Sequence, residues 1–391
     1  MSVIGIVSEF NPFHNGHKYL IDAVRNDGDT VICVMSGNFT QRAEPSIFPK
    51  RSRVKAALEN GVDIVLELPF LYATATAELF AKNAVRILCE FGCDTISFGA
   101  ECESEKLLVE AAEILRDSAF DLKIKEQLEK GVSYPVARQK AFEHYGVDVD
   151  ISAPNNILAL EYIKAVKTYY PSVKIKVVKR IGAGHDSNTV SDGVASASYI
   201  RELIKSGGDF SLFVPENAFE IYRSCKKDKT VCDYNKFDLS VMTVLRSIDS
   251  ISGKTAYCDF ELSSRIDNAI KCSTNLDALY NTAKTKHYTH SRVRRAVLSR
   301  VFDITRDDIL IPAPYVRILG FNTACSGILG ECSKKCGLPV ITTSSEMQTK
   351  ADDKAKRIFE LECKASDFYN LCTEQMGKCG SELQYQLVKT K

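Results

Sequence analysis

His14 and His17 stand three residues apart in EFNPFHNGHKYLIDAV, directly after a short apolar run and directly before a stretch with helical spacing. Two imidazoles at that spacing can donate to one anion. A helix start at the carboxyl edge of a parallel strand adds free backbone N–H groups, so the chemistry indicated is phosphate binding. Gly16, between the histidines, would let a nucleotide approach the backbone closely. The competing reading is a pair of surface histidines at an ordinary turn; the coincidence of strand, turn, glycine and helix favours the site. A zinc pair is disfavoured because no further ligand cluster has suitable spacing.

A second anion-binding candidate is ASASYIR, with Ser196, Ser198 and Arg201 opening a later helix. Hydroxyls at a helix start cap it and can also hold phosphate, and an arginine one turn on adds forked, charge-assisted hydrogen bonds. Alone the motif would be ordinary capping; paired with HNGH it becomes the second jaw around a triphosphate. Gly99 closes the run TISFG, Arg180 and Ile181 follow another apolar run, and Asn155 stands just inside a helix start in APNN. Each has a bland alternative as a turn, a cap or a solvated charge, yet all fall at carboxyl ends of strands, where open α/β sheets bind ligands. His185 and Asp186 in GHDS invite a metal-phosphohydrolase reading, but a lone HD pair is weak, and a loop over the phosphates is preferred. In FTQRAEPSIFPKRSR, Gln41, Arg42, Lys50, Arg51 and Arg53 read as solvated surface or as a clamp on phosphate or acidic substrate.

Farther along, KTKHYTHSRVRRAVLSRVF gathers Lys284, Lys286, Arg292, Arg294, Arg295 and Arg300 around His287, Tyr288 and His290. Cations hold phosphates and rings stack on unpaired bases, so this is a candidate RNA-facing strip; a solvated helix face is an even alternative.

These residues need elements to position them. Runs 2–7, 30–35, 62–68, 95–98 and 173–178 are short, apolar and rich in β-branched residues, and read as buried strands. Segments 17–26, 50–60, 77–91 and 154–169 carry helical spacing between them. That alternation predicts a Rossmann-like α/β domain, with a helical insertion over about 103–146 as a lid or side wall. The α/β pattern ends with ASASYIRELIKSG, and Gly207 with Gly208 reads as a helix stop. We place a boundary there, giving a nucleotide domain over 1–207 and a mainly helical domain over 208–391, with short strands expected in 312–321 and 337–345.

The 391 residues carry 51 basic against 50 acidic side chains, which excludes a wholly basic nucleic-acid binder and requires any polyanion site to be a local patch. No basic leader and no long apolar stretch is present, so a cytoplasmic protein without a membrane span is expected. The fourteen cysteines lack metal-site spacing and read as reduced, packed thiols.

GIVSEFNPFHNGH carries the HxGH signature of the nucleotidyltransferase superfamily. With VMSGNFTQRAEP, GVDIVLELPF, SFGAE, PNNILALEY, ASASYIR, KHYTHSRVRR and PYVRILGF, the chain resembles the bacterial tRNA(Met) cytidine acetate ligase family over nearly its whole length; the tail after about residue 360 matches least. The resemblance implies a ligase that activates acetate with ATP as acetyl-adenylate and transfers the acetyl group to N4 of the wobble cytidine of elongator tRNA(Met), forming N4-acetylcytidine. It implies ATP contacts by Val7, Ser8, Glu9, Phe10, Asn11, Pro12, Phe13, His14, Asn15, Gly16, His17, Lys18, Tyr19 and Leu20, and by Gly99, Asn155, Arg180 and Ile181. Magnesium is expected with ATP. His14 and His17 would contact the phosphates, and Arg201 would stabilise the departing pyrophosphate. A small-molecule nucleotidyltransferase and an RNA-binding protein with a regulatory nucleotide site are the alternatives.

Overall fold

Each of the five apolar runs forms a strand: β1 (Val3–Ser8), β2 (Thr30–Ser36), β3 (Ile64–Leu68), β4 (Thr95–Ala100) and β5 (Lys174–Lys179). The computed structural model describes residues 2–147, 149–150, 153–181, 193–248 and 254–391. The five strands are parallel and lie in the order β5-β4-β1-β2-β3. Their order reverses between β1 and β4, so the crevice at the carboxyl ends of those two strands is the ligand position of this topology.

Alternation along the strands covers both faces. Ile4, Ile6, Val31, Cys33 and Met35 enter one apolar core, while Val7, Ile32 and Val34 enter the other. The helices of the first half are α1 (Asn15–Val24), α2 (Lys50–Leu58), α3 (Phe70–Ala73), α4 (Ala77–Glu90), α5 (Glu105–Ile114), α6 (Ser118–Glu129), α7 (Tyr134–His144), α8 (Pro154–Tyr169) and α9 (Ala197–Lys205). Gly207 ends α9 with a φ of 77°, the left-handed conformation that glycine adopts without a Cβ clash.

Beyond Gly207 the chain is mainly helical, with α10 (Glu216–Lys227), α11 (Tyr234–Ser247), α12 (Phe260–Cys272), α13 (Leu276–Ala283), α14 (His290–Val301), α15 (Ser326–Lys335), α16 (Ser344–Lys350) and α17 (Asp353–Leu371). It also returns to the sheet. Strand β6 (Val316–Asn322) pairs antiparallel with β3, and β7 (Val340–Ile341) and β8 (Val388–Thr390) pair parallel with β6. The core therefore runs through position 207 without a break.

A buried charge cluster joins the two halves. Lys50, at the start of α2, places Nζ 2.5 Å from Glu67 on β3, 3.0 Å from Glu362 on α17 and 2.6 Å from Glu382. Arg317 on β6 binds Glu67 at 2.9 Å and Glu382 at 2.5 Å. Three carboxylates face two cations, and burial, reinforced by Glu67, pushes Glu362 up to about 7. Lys50 is thus an internal counter-ion, and the solvated or phosphate-clamping role expected of it is corrected. Arg53 is also fully buried; it donates to the carbonyls of Glu9 (2.6 Å), Phe48 (3.1 Å), Ser36 (3.2 Å) and Gly37. Arg51 alone of the three stays outside, bonded to the Gln386 carbonyl.

Removing one partner of a buried ion network strands the others without counter-charge. We expect Lys50→Met to cost about 3 to 5 kcal/mol, and Lys18→Ala, which breaks an exposed pair with Asp22, to cost less than about 1 kcal/mol. Urea unfolding measures both; similar small losses would show that the cluster is not ion-paired in the folded protein.

Candidate active site

The turn after β1 is held from several directions. Phe10 adopts a φ of 46°, a conformation rare outside glycine, and its ring meets His17 edge-on at 4.9 Å. Asn11 accepts from the Ile47 N–H through its side chain, and the Phe13 N–H donates to the hydroxyl of Tyr222 on α10. His14 then caps α1. Its Nδ1 accepts from the Gly16 N–H at 3.0 Å, and the His14 N–H donates to Nδ1 of His17 at 3.2 Å.

Both histidines therefore use Nδ1 as an acceptor, which puts the proton of each neutral ring on Nε2. Burial holds both rings neutral. His14 is pushed down to about 3, with Arg180 and Arg201 adding to the effect, and His17 is depressed by burial, by His14 and by Arg180. The Gly16 N–H is used by the His14 ring, and each imidazole keeps its Nε2–H as a donor. The atoms that exclude a side chain at Gly16 are also those of the His14 ring, since a Cβ there would lie 2.9 Å from Cε1.

The turn opens into a cavity of about 720 Å³ at the β1/β4 crevice. From the first turn it is lined by Val7, Ser8, Glu9, Phe10, Asn11, His14, Gly16, His17, Tyr19 and Leu20. Pro12, Phe13, Asn15 and Lys18 do not line it: Phe13 is fully buried, Lys18 pairs with Asp22 in solvent, and Asn15 ties the turn to the carbonyls of Gly193 and Leu212.

Gly99, Asn155, Arg180 and Ile181 line the same cavity, as do Ser196, Ser198 and Arg201. Arg201 donates to the Asn11 carbonyl at 2.8 Å and to Ser198 Oγ at 3.0 Å, while Ser196 Oγ caps α9 by accepting from the Tyr199 N–H. A Cβ on Gly99 would lie 3.2 Å from Arg180, so the glycine makes room for that side chain. Glu101 is a residue the sequence reading missed. It accepts from Asn155 Nδ2 at 2.5 Å and from the Asn156 N–H, and lies 3.8 Å from Arg180 Nε. Its position two residues beyond Gly99, in SFGAE, was the available signal. His185 and Asp186 lie outside the described residues.

Glu9 directly follows β1 and lines the same cavity. Its Oε1 accepts from the Gln41 N–H at 2.6 Å, and burial raises its pKa against the opposing pull of that bond and of Arg201, Arg53 and Arg42. Arg42 lines the cavity. Donors from α1, α9 and the end of β5 thus converge on one space, an arrangement that fits a triphosphate.

The basic segment of 284–300 does not form one surface strip. Lys284 and Lys286 are exposed. Arg292 is bound to Asp259 at 2.7 Å beside Tyr288. Arg294, paired with Glu44, and Arg295 turn inward and line the cavity, together with His290. Arg300 is buried against Asp267, so its assignment to an RNA surface is corrected: a guanidinium enclosed with its own counter-ion has no face for a phosphate.

A parallel α/β sheet with an HNGH turn at its switch point defines a nucleotidyltransferase of the HIGH type, and residues 1–382 match the family model described as HIGH Nucleotidyl Transferase. Within that class the chain belongs to the tRNA(Met) cytidine acetate ligase family. It is 33% identical to the tRNA(Met) cytidine acetate ligase of Acetivibrio thermocellus over 413 aligned positions, covering 99% of this chain and 100% of that one. It is 34% identical to that of Clostridium kluyveri, covering 96% of each. The crystal structure of apo Thermotoga maritima TmcAL superposes with a TM-score of 0.92 at 29% identity, and the form bound with alpha-thio ATP with 0.91 at 28%, each over the full length of both chains.

The neutral state of His14 carries a testable signature. Unfolded, it titrates near about 6.5; folded, at about 3. Between those values the unfolded chain binds a proton that the folded chain refuses, so His14 lowers stability as pH falls through that window and has no effect above it. His14→Gln removes the penalty. In urea titrations the stability of wild type relative to this variant should fall by about 2 kcal/mol from pH 7.5 to pH 5; a constant difference would mean that His14 is not held neutral.

Proposed function

We infer that the protein condenses acetate with ATP to acetyl-adenylate and pyrophosphate, then transfers the acetyl group to N4 of the wobble cytidine of elongator tRNA(Met), releasing AMP and a proton. The carrying observation is the HNGH turn: two neutral, Nε2-protonated imidazoles beside Arg180 and Arg201, at the switch point of a sheet shared with a relative bound to alpha-thio ATP.

The chemistry suits this donor set. Acetate is a poor acyl donor, and the cytosine amine is a weak nucleophile because its lone pair is delocalised into the ring; adenylation supplies the leaving group. Attack of a carboxylate on the α-phosphate needs alignment and charge stabilisation rather than a protein nucleophile. His14 and His17 donate to phosphate oxygens, and Arg201, fixed by Asn11 and Ser198, stabilises the departing pyrophosphate. Magnesium, carried in with ATP, would neutralise phosphate charge. Among the described residues the only grouping of three potential metal ligands is Glu67, Glu362 and Glu382, and Lys50 and Arg317 already fill it. No described helix is long and apolar enough to cross a membrane; a tRNA substrate would place the enzyme in the cytoplasm. Residues 1–207 supply most of the nucleotide site, and the segment beyond supplies the tRNA contacts, beginning with exposed Lys284 and Lys286.

Acetate-dependent exchange of pyrophosphate into ATP, without tRNA, tests the first half-reaction. His14→Ala and His17→Ala should each lower it by ~10² to 10³ with the fold retained. Exchange that ignores acetate would indicate a plain nucleotidyltransferase, and none at all a regulatory nucleotide site. Lys284→Ala with Lys286→Ala should leave exchange intact while lowering tRNA affinity and its salt slope by ~0.7 to 0.9 per lost phosphate contact; unchanged binding places the RNA surface elsewhere.

A further inference from the structure

Four arginines of α14 lie within nine positions of one another, and three have a carboxylate: Arg292 has Asp259, Arg294 has Glu44 and Arg300 has Asp267. Arg295 has none within ion-pair distance among the described residues, yet it is mostly buried, enough that burial depresses its ionisation. Two backbone carbonyls hold it, Thr74 from Nε at 3.1 Å and Gln41 from Nη2 at 3.4 Å. A guanidinium has five N–H donors, and this one borders the cavity. A desolvated cation without a counter-ion is unfavourable until an anion arrives.

The surroundings narrow the anion. Gln41 accepts from Arg295 through its carbonyl and donates to Glu9 through its N–H, so Arg295 sits one residue away from the carboxylate that directly follows β1. Thr74 ends α3, and two residues later Thr76 opens α4 without capping it through its side chain. The first turn of α4 presents Ala77 and Phe80 to the same cavity. The cavity lining here thus combines a forked cation, the start of a fourteen-residue helix and the apolar side chains of Ala77 and Phe80.

We propose that Arg295 and the start of α4 form the acyl-donor subsite, with the guanidinium holding the carboxylate of a short monocarboxylic acid and Ala77 with Phe80 enclosing its methyl end. The proposal rests on the acetate-activating reading above and names the pocket for its first substrate. An RNA phosphate suits the position poorly, because a backbone phosphate cannot leave its strand to reach a guanidinium pinned inside the cavity, whereas a two-carbon acid can.

The test is acetate-dependent exchange of pyrophosphate into ATP by the full chain without tRNA. Arg295→Gln should raise the KM for acetate by ~10 to 10², the worth of a charge-assisted hydrogen-bond pair, with the KM for ATP within about threefold. Arg295→Lys, which keeps charge and loses the fork, should recover part of the loss. Ala77→Leu fills the methyl end without touching the arginine and should also raise the acetate KM selectively, which preserves the test if the arginine variants fold poorly. An unchanged acetate KM in Ala77→Leu and in any folded Arg295 variant overturns the proposal. So does an equal rise in the KM for ATP, which would make Arg295 a phosphate ligand, or normal exchange with lost tRNA acetylation, which would make it an RNA contact. Absence of acetate-dependent exchange in the wild type would instead sink the reading on which the proposal rests.

Discussion

Lys50 carries its charge where water does not reach, between carboxylates from β3, α17 and the segment after it. Such a group is tolerable only with every partner present, so the last third of the chain is bound to the sheet by electrostatic necessity as well as by apolar packing. The consequences reach the active site by two short routes. Glu362 also accepts from the Phe70 N–H at the start of α3, whose end supplies the Thr74 carbonyl that holds Arg295. Arg53, one turn along α2 from Lys50, clasps the carbonyls of Glu9, Ser36 and Gly37, at the carboxyl ends of β1 and β2. One helix start therefore anchors both the C-terminal segment and the strand ends from which the site is built.

The site gathers hydrogen-bond donors and positive charge around one cavity. His14 and His17 are kept neutral by burial and by neighbouring positive charge, Arg180 is partly offset by Glu101, and Arg201 is fixed on a carbonyl and a hydroxyl. Neutral imidazoles suit a pocket that must hold ATP and then release pyrophosphate and AMP, because they direct hydrogen bonds without the full attraction of a fixed cation. On the proposed reading charge stabilisation falls to the arginines, of which Arg201 is already fixed by the Asn11 carbonyl and Ser198.

Helix α14 borders both the surface and the cavity. One side of it meets Asp259 and Tyr288 near the surface, while Arg294 and Arg295 reach the chamber lined by the histidine turn. On the proposed reading, such a helix would lie between the place where the acyl group is made and the place from which an RNA base enters. The cavity lining, like the core, thus includes residues from both sides of Gly207.

Much of this was legible in the chain because it is local. Strand periodicity placed β1 to β5, the spacing in HNGH placed two rings at one helix start, and Gly207 marked the end of α9. Even β6 and β7 were legible as short strands, though not their joining the same sheet. What the sequence could not determine was the environment of each charge. Lys50 looked like surface and is an internal counter-ion to Glu362, 312 positions away; Arg294 and Arg295 looked like part of an RNA strip and face the chamber, with Arg294 paired to Glu44 across 250 positions. Backbone pattern follows from neighbours a few residues apart, and so it can be read along the chain. Protonation, pairing and exposure depend on which distant segments supply the counter-charge and exclude the water, and only the tertiary structure decides that.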